Sequence, residues 1–326
     1  MARLAGVSPA TVSRVLSAKL RVDPGLADRV RGAALQLDYR PSRVARNLRA
    51  RSSSIWGIIV ADIGNPFFTR VVRAVQDAAL ESGRTVIMCN SDESVDKERR
   101  ALEVLVAERV GGVLISPASE IDSDLEALLA QRIPVVAIDR RPPAAVDTVL
   151  TDNVLGGLEA TRHLLTSGRR RVGCITGPRD VTTARERLDG FQQAMAEAGL
   201  APAAVAHADF HEEGGRDALL QWIDAGSMPE AVFVANNLMT LGVLQAAGER
   251  DVRVPEDLAV VGFDELPWAG GLAARIPVVA QPAREMALAA TRLLEERCDG
   301  YDGPPRSVVL APHLLRQPSI EEWGRG

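Results

Sequence analysis

The sequence predicts a small all-α helix-turn-helix head joined by a hinge helix to an α/β body of two doubly wound parallel-sheet lobes. Three observations predict it. The first is a charge boundary: residues 1–54 hold 11 Lys or Arg against 3 Asp or Glu, while the other 272 residues hold 27 against 40. The second is periodicity. Apolar residues recur at helical spacing in the basic head, whereas the acidic body alternates short continuous apolar runs with helical patterns. The third is a restart: after "TDNVLGG" (151–157) the strand–helix cycle begins again, so the body holds two such units.

In the head, Ser8 followed by Pro9 is a helix start, a capping hydroxyl before a residue with no N–H to leave unpaired. Val12, Val15 and Leu16 share one stripe at i, i+3, i+4 and are expected to pack inward. Ala10, Arg14 and Ser17 point the other way, with Thr11 and Ser13 on the flanks. A turn at Gly6-Val7 separates this helix from Leu4 and Ala5, and a third segment starts at Asp23-Pro24 and carries Leu26, Val30, Ala33, Ala34 and Leu37. In a helix-turn-helix the second helix lies in the DNA major groove. The Arg14 guanidinium can give two hydrogen bonds to a guanine edge, and Ala10 can meet a thymine methyl. Thr11 and Ser13 suit phosphate contacts, which fix register. A protein-docking bundle would show a similar pattern, but the next stretch favours DNA.

That stretch, "YRPSRVARNLRARSSS" (39–54), starts a short helix at Pro41, presents Arg43, Arg46, Arg49 and Arg51, and runs out into serines. A helix of roughly eight residues is unstable alone in water, so it should form only when something holds it. Ala45 and Leu48 make a small apolar ridge among the arginines. A charged linker has no need of that ridge; a wedge that unstacks a base step in the minor groove does.

The body begins with "IWGIIV" (55–60), followed by a predicted helix from about Pro66 to Ser82, stopped by Gly83. "TVIMC" leads to a helix over 95–108 and "GGVLIS" to one over 122–130; "PVVAID" comes next. After the restart come a helix to Ser167 and Gly168, "RVGCIT", a helix to Gly199, "AVFVAN" with a helix, and "LAVVGFD". Continuous apolar strands between helices mean parallel sheets covered on both faces, with ligands bound in the crevice at the strand C-termini.

Several function classes are disfavoured. No G-x-G-x-x-G or G-x-x-x-x-G-K-[ST] follows a strand, and His163, His207, His211 and His313 lack metal spacing or a nucleophile partner. We therefore expect no enzyme, cofactor or metal. Cys89, Cys174 and Cys298 are far apart and odd in number, which suggests reduced structural thiols. No apolar run approaches the roughly 18–20 residues of a membrane span, and no export signal is read at the start. A cytoplasmic protein without membrane contact is the expectation.

What the strand ends carry is sugar chemistry: polar groups for hydroxyls and rings for the apolar faces of a sugar. Phe67 and Phe68 follow the first strand and Phe210 sits in "HADFHEE", although either of the first two could be a core residue capping the helix. Asp139 and Arg140 end "VVAID", Arg187 lies in "TTARERLDGF", Asn236 ends "VFVAN", Asp264 ends "VVGFD" and Gln281 ends "PVVAQ". Each alone could be a capping or surface residue. Six polar residues at strand ends or in nearby loops, on both lobes, are not expected by accident and predict a pocket's lining.

"LAGVSPATVSRVLS", "YRPSRVARNLR" and "IVADIGNPFF" together resemble the lac repressor (LacI/GalR) family of transcriptional regulators along nearly the whole chain. The resemblance implies that 42–49 is a hinge helix folding on DNA with Leu48 as the intercalating leucine. It also implies a homodimer acting on a palindromic operator in double-stranded DNA. The DNA-binding candidates are then Ser8, Pro9, Ala10, Thr11, Ser13, Arg14, Ala45, Asn47, Leu48 and Arg49. Asn65, Phe67, Phe68, Asp139, Arg140, Arg187, Phe210, Asn236, Asp264 and Gln281 match the binding set of ribose-type periplasmic sugar-binding proteins, whose fold the family's body shares. Asn237 departs from the usual Asn-Asp, and Arg140 stands where purine-responsive members place an aromatic ring.

The domains expected are a head at 1–40, a hinge and linker at 41–54, and an effector-binding and dimerisation domain at 55–326. Its first lobe comprises about 55–152 and 282–311, its second about 153–281 and 312–326. Family members carry several residues before "ARLAGVS", so we expect the true start upstream of Met1, with a valine codon read as initiator. An in-frame stop directly before Met1 would exclude that. The function implied is a repressor whose operator affinity is changed by a sugar, a ribose-like pentose, bound between the lobes. The rivals are an exported periplasmic-type sugar receptor and a regulator relative that has lost DNA binding through its short N-terminus.

Overall fold

The computed structural model describes residues 1–17, 22–37, 53–266 and 276–316. The chain divides into two compact units, Met1–Ser53 and Ser54–Gly326. The expected hinge residues Ala45, Asn47, Leu48 and Arg49 lie outside the described residues, as do the side chains of Ser13, Leu16 and Ser17 and the chain beyond residue 316.

The first unit holds α1 (Ala2–Ala5), α2 (Pro9–Ser17) and α3 (Pro24–Gln36). Gly6 ends α1 in the left-handed region, φ 63°, which returns the Val7 amide to the Ala2 carbonyl at 3.1 Å. Ser8 starts α2 by accepting from the Thr11 amide at 3.1 Å, and Asp23 starts α3 by accepting from the Leu26 amide at 3.1 Å. Ala5, Val30 and Ala33 form a small core against which Met1, Val7, Val12 and Val15 pack. The buried stripe of α3 is Ala27, Val30 and Ala33. Leu37, expected on that stripe, is 52% exposed, because α3 has ended and Leu37 is only its C-cap.

The second unit contains two six-stranded sheets. The first is formed by β1 (Ile55–Val60), β2 (Thr85–Asn90), β3 (Gly112–Ile115), β4 (Val135–Ile138), β5 (Asp147–Thr151) and β11 (Ser307–Leu310). Its order is β11-β5-β4-β3-β1-β2, all parallel. The second is formed by β6 (Val172–Thr176), β7 (Ala204–His207), β8 (Ala231–Val234), β9 (Ala259–Phe263), β10 (Val278–Ala280) and β12 (His313–Leu315), in the order β12-β10-β9-β8-β6-β7. Only β12 runs antiparallel to its neighbour. The chain passes between the sheets three times, after β5, after β10 and after β11.

Helices α4 (Pro66–Glu81), α5 (Val95–Ala107), α6 (Glu126–Ala130) and α11 (Ala283–Cys298) cover the first sheet. Helices α7 (Asn153–Thr166), α8 (Thr182–Glu197), α9 (Glu212–Asp224) and α10 (Asn237–Glu249) cover the second. The central strands β3, β4, β6, β8 and β9 are buried along their whole length, as their unbroken apolar runs require. Each sheet reverses its strand order beside its first strand, between β1 and β3 and between β6 and β8. At such a switch point the connections leave on opposite faces and open a crevice at the strand C-termini.

Four elements differ from expectation. The helix expected over 122–130 begins only at Glu126, because the Ser119 hydroxyl takes the Ile121 and Asp122 amides and Asp124 takes the Glu126 amide. Those turns compete with the helix for its own donors. β5 and β7 escape the sequence pattern: β5 has the polar ends Asp147 and Thr151, and β7 is a half-exposed edge strand. Helix α9 is hidden by Gly214 and Gly215 in its first turn; Gly215 lies so close to α10 that a Cβ there would stand 2.2 Å from the Met239 carbonyl. Among the described residues no helix is long and apolar enough to cross a membrane.

Candidate functional site

All ten strand-end and loop residues singled out above line one narrow cavity, open at its mouth. The first lobe contributes Asn65, Phe67 and Phe68 after β1, and Asp139 and Arg140 after β4. The second contributes Phe210 after β7, Asn236 after β8, Asp264 after β9 and Gln281 after β10, with Arg187 reaching in from α8. Asp62, Glu93, Thr183 and His211 also line it, and sequence reasoning missed them. Asp62 follows the same strand-end rule, applied to β1, whereas Glu93 lies three residues past the end of β2 and outside that rule.

Local structure aims these groups. Asn65 caps α4 by accepting from the Phe67 amide at 2.9 Å, which brings both phenylalanines to the start of the helix. Their rings meet edge to face at 5.0 Å, and both are at once core and lining. Asn236 caps α10 by accepting from the Met239 amide at 2.8 Å, while its Nδ2 donates to the Phe210 carbonyl at 2.7 Å. The Phe210 ring lies over Gly177, where a Cβ would stand 2.3 Å from it. Asp139, Phe210 and Asp264 all sit at positive φ, 72°, 67° and 69°, where the chain turns sharply off the strand end.

Arg187 is held from three sides. Its Nε donates to Asn153 Oδ1 at 2.9 Å, its Nη1 to the Ala235 carbonyl at 2.7 Å, and its guanidinium lies 3.8 Å from the Phe263 ring centre. Helix α8 can present it there because α7 and α8 cross backbone to backbone. A Cβ on Gly157 would stand 2.1 Å from the Arg187 carbonyl, and one on Gly190 2.1 Å from the Val154 carbonyl. The glycines of "TDNVLGG" and "RLDGF" therefore set the position of the arginine.

The cavity's charges are buried and strongly coupled. Arg140 makes a two-pronged ion pair with Glu93, Nη1 at 2.5 Å and Nη2 at 2.8 Å. Burial opposes the Arg140 charge, but Glu93 outweighs it and raises the pKa. Gln281 donates to both Asp264 oxygens at 3.1 Å and accepts from the Thr151 hydroxyl at 2.6 Å. The Asp139 carboxylate is 7% exposed and accepts no hydrogen bond among the described residues; its nearest cation is Arg140 Nε at 3.6 Å. Burial pushes it up to about 6 against the pull of Arg140 and Arg187. Burial also raises Asp264 and lowers Arg187.

Polar contacts bridge the lobes around the rim. Asn237 Nδ2 donates to Asn65 Oδ1 at 3.0 Å, Arg70 pairs with Glu265, and the Thr182 amide donates to Glu120 at 2.9 Å. The departure from Asn-Asp at Asn237 is thus a donor that an aspartate would lack.

In the head, Ser8, Pro9, Ala10 and Arg14 are exposed and Thr11 is half-buried. Ala10 and Arg14 share one face of α2, opposite Val12 and Val15.

The model of bacterial regulatory proteins of the lacI family matches residues 1–42, and that of the periplasmic binding protein-like domain matches residues 161–320. The chain is 33% identical over 327 residues to the HTH-type transcriptional repressor PurR of Photobacterium profundum, covering 99% of this chain and 98% of that protein. It is 36% identical over 316 residues to the ribose operon repressor of Halalkalibacterium halodurans, covering 95% and 94%. The lac repressor dimer bound to operator and the anti-inducer ONPF superimposes with a TM-score of 0.85 at 25% identity, over 97% and 96% of the chains. The transcriptional regulator CelR–cellobiose complex does so with a TM-score of 0.74 at 31% identity, over 97% of each.

Proposed function

Since the chain belongs to the lacI family of bacterial regulatory proteins, we propose that it is a cytoplasmic repressor released from a palindromic operator by a sugar bound between its lobes. The DNA-binding repressor follows from the family; the effector, the site residues and the homodimer are our reading. One observation carries it: nine side chains picked for sugar chemistry from strand ends and loops, with Asn65 from the family resemblance, line a single cavity.

The roles follow from the geometry. The rings of Phe67, Phe68 and Phe210 offer flat apolar faces to a pyranose or furanose, and Asp139, which accepts no hydrogen bond among the described residues, accepts hydroxyl donors. Arg187, Asn236, Asp264 and Gln281 fix the opposite edge. Because the ligand touches both lobes, it favours their closed arrangement. That motion separates the paired hinge segments at 42–49, which are too short to stay helical unaided. On the operator, α2 reads bases through Ala10 and Arg14 while Thr11 and Ser13 hold phosphates, and Leu48 wedges into the minor groove beside Ala45, Asn47 and Arg49.

A purine effector is the second reading, favoured by the similarity to the Photobacterium repressor. Against it stands Arg140, locked to Glu93 where an aromatic slab would be needed. A thermal-shift screen of pentoses, hexoses and purine bases separates the two. The sugar reading requires stabilisation by a pentose or hexose that is abolished by Arg187→Ala. If that variant leaves the shift of the best sugar unchanged, the site is misassigned. Gel shifts on palindromic DNA, with and without that sugar, test the repressor half. Failure of both this chain and an upstream-extended form to bind any operator would favour a relative that no longer reads DNA.

A further inference from the structure

Resting on the reading of the cleft as a sugar site, we propose that Glu93 sets the chemical class of the effector by silencing Arg140, so that the cleft admits uncharged polyols and rejects phosphorylated ones. Four carboxylates, Asp62, Glu93, Asp139 and Asp264, face two guanidiniums in the lining. Arg187 is already bound through Nε and Nη1. Arg140 is the group that a phosphate would seek, since its planar fork matches two phosphate oxygens. Both prongs of that fork are held by Glu93, and its Nε, buried without a hydrogen bond among the described residues, lies 3.6 Å from Asp139. An entering anion therefore meets an acidic surface and no available fork, and unpaired like charges reject it.

Glu93 reaches this position through an unusual turn. Asp92 and Glu93 both adopt positive φ, 53° and 54°, just past the end of β2. The turn carries the Glu93 side chain into the cleft. Glu93 is a specificity residue acting through Arg140, and its signature is a change in the ratio between ligand classes.

The test uses the full chain and two pairs of probes, inorganic phosphate against chloride, and ribose against ribose 5-phosphate. In the wild type, phosphate should raise the melting temperature no more than it does in Arg140→Gln. Ribose should bind more than about a hundredfold tighter than its 5-phosphate. Glu93→Gln should add a phosphate-dependent rise in melting temperature and bring the two ligands within about tenfold. Glu93→Asp should restore discrimination, and Glu93→Gln combined with Arg140→Gln should lose the new phosphate response. The proposal is overturned if Glu93→Gln responds to phosphate like the wild type, if the response survives Arg140→Gln, or if the wild type already binds the phosphorylated sugar as tightly. The phosphate arm stands whether or not ribose binds, so it separates this proposal from the choice of sugar.

Discussion

Replacing Asp139 by asparagine should stabilise the empty protein and disable it. Asp139 is held at about 6 rather than its ordinary 3.8, chiefly by burial. That gap corresponds to about 3 kcal/mol at 1.36 kcal/mol per tenfold. A carboxyl whose folded pKa is raised contributes most to stability below 3.8 and loses that contribution as the pH rises through about 6. At pH 7 the wild type therefore carries nearly the whole cost of an ionised, buried carboxylate. The neutral amide of the variant would carry none, and asparagine suits the positive φ of 72° better than most residues. Asp139→Asn should raise the melting temperature at pH 7 by about 6 °C, and by about half as much at pH 5. Its sugar affinity should fall at least about tenfold, because hydrogen bonds to a charged acceptor are replaced by weaker ones. Calorimetric melting at both pH values, without and with sugar, reads all three quantities. A variant no more stable than the wild type at pH 7, or a gain equal at pH 5 and pH 7, refutes the reasoning.

Other substitutions separate packing from binding. Gly157→Ala should push α8 off α7, costing about 2 kcal/mol in denaturant unfolding and weakening sugar binding, because the new Cβ would overlap the carbonyl of Arg187. Asp147→Asn should cost about 3 kcal/mol in the same assay with sugar affinity unchanged. That carboxylate is fully buried at the opposite end of β5, between Arg297 and Arg306. Burial works to raise its pKa, but the two arginines prevail and hold it at about 2, so its contribution is present at neutral pH and lost only as the pH falls toward 2. Ser8→Ala should cost the head about 1 kcal/mol by removing the cap of α2, and gel shifts should show weaker operator binding at unchanged sugar affinity.

How much of this was legible in the sequence depended on what each element had to satisfy alone. A central strand must be apolar on both faces, so "IWGIIV" and "LAVVGF" announce themselves. The residue ending such a strand faces the crevice, which is why Asp139, Asn236 and Asp264 could be picked in advance. The edge strand β7 is bound by no such rule, since Ala204, Val205 and Ala206 are only partly covered. Glu93 escaped because its entry into the cleft needs two successive left-handed residues, Asp92 and Glu93, and no residue type there signals them. The internal bonds of Arg187 were likewise invisible: Asn153 and the Ala235 carbonyl are 34 and 48 residues away.

The same buried carboxylate connects affinity to switching. Asp139 belongs to the first lobe and Arg187 to the second; burial raises the Asp139 pKa while Arg187 pulls it down. In the proposed switch, a closed and empty cleft leaves this carboxylate in demand of a hydrogen-bond donor, and the rim contacts Asn65–Asn237, Arg70–Glu265 and Glu120–Thr182 work in the opposite direction. Partly exposed contacts of that kind contribute about 1 kcal/mol each. A sugar hydroxyl donating to Asp139 removes the cost in the closed form and gains no comparable benefit in the open one, where water already solvates the carboxylate. In the proposed switch that difference, about 3 kcal/mol, is one contribution to the coupling energy, and by itself it would change operator affinity by about 150-fold; contacts of the sugar to Arg187, Asn236, Asp264 and Gln281 on the second lobe add to it.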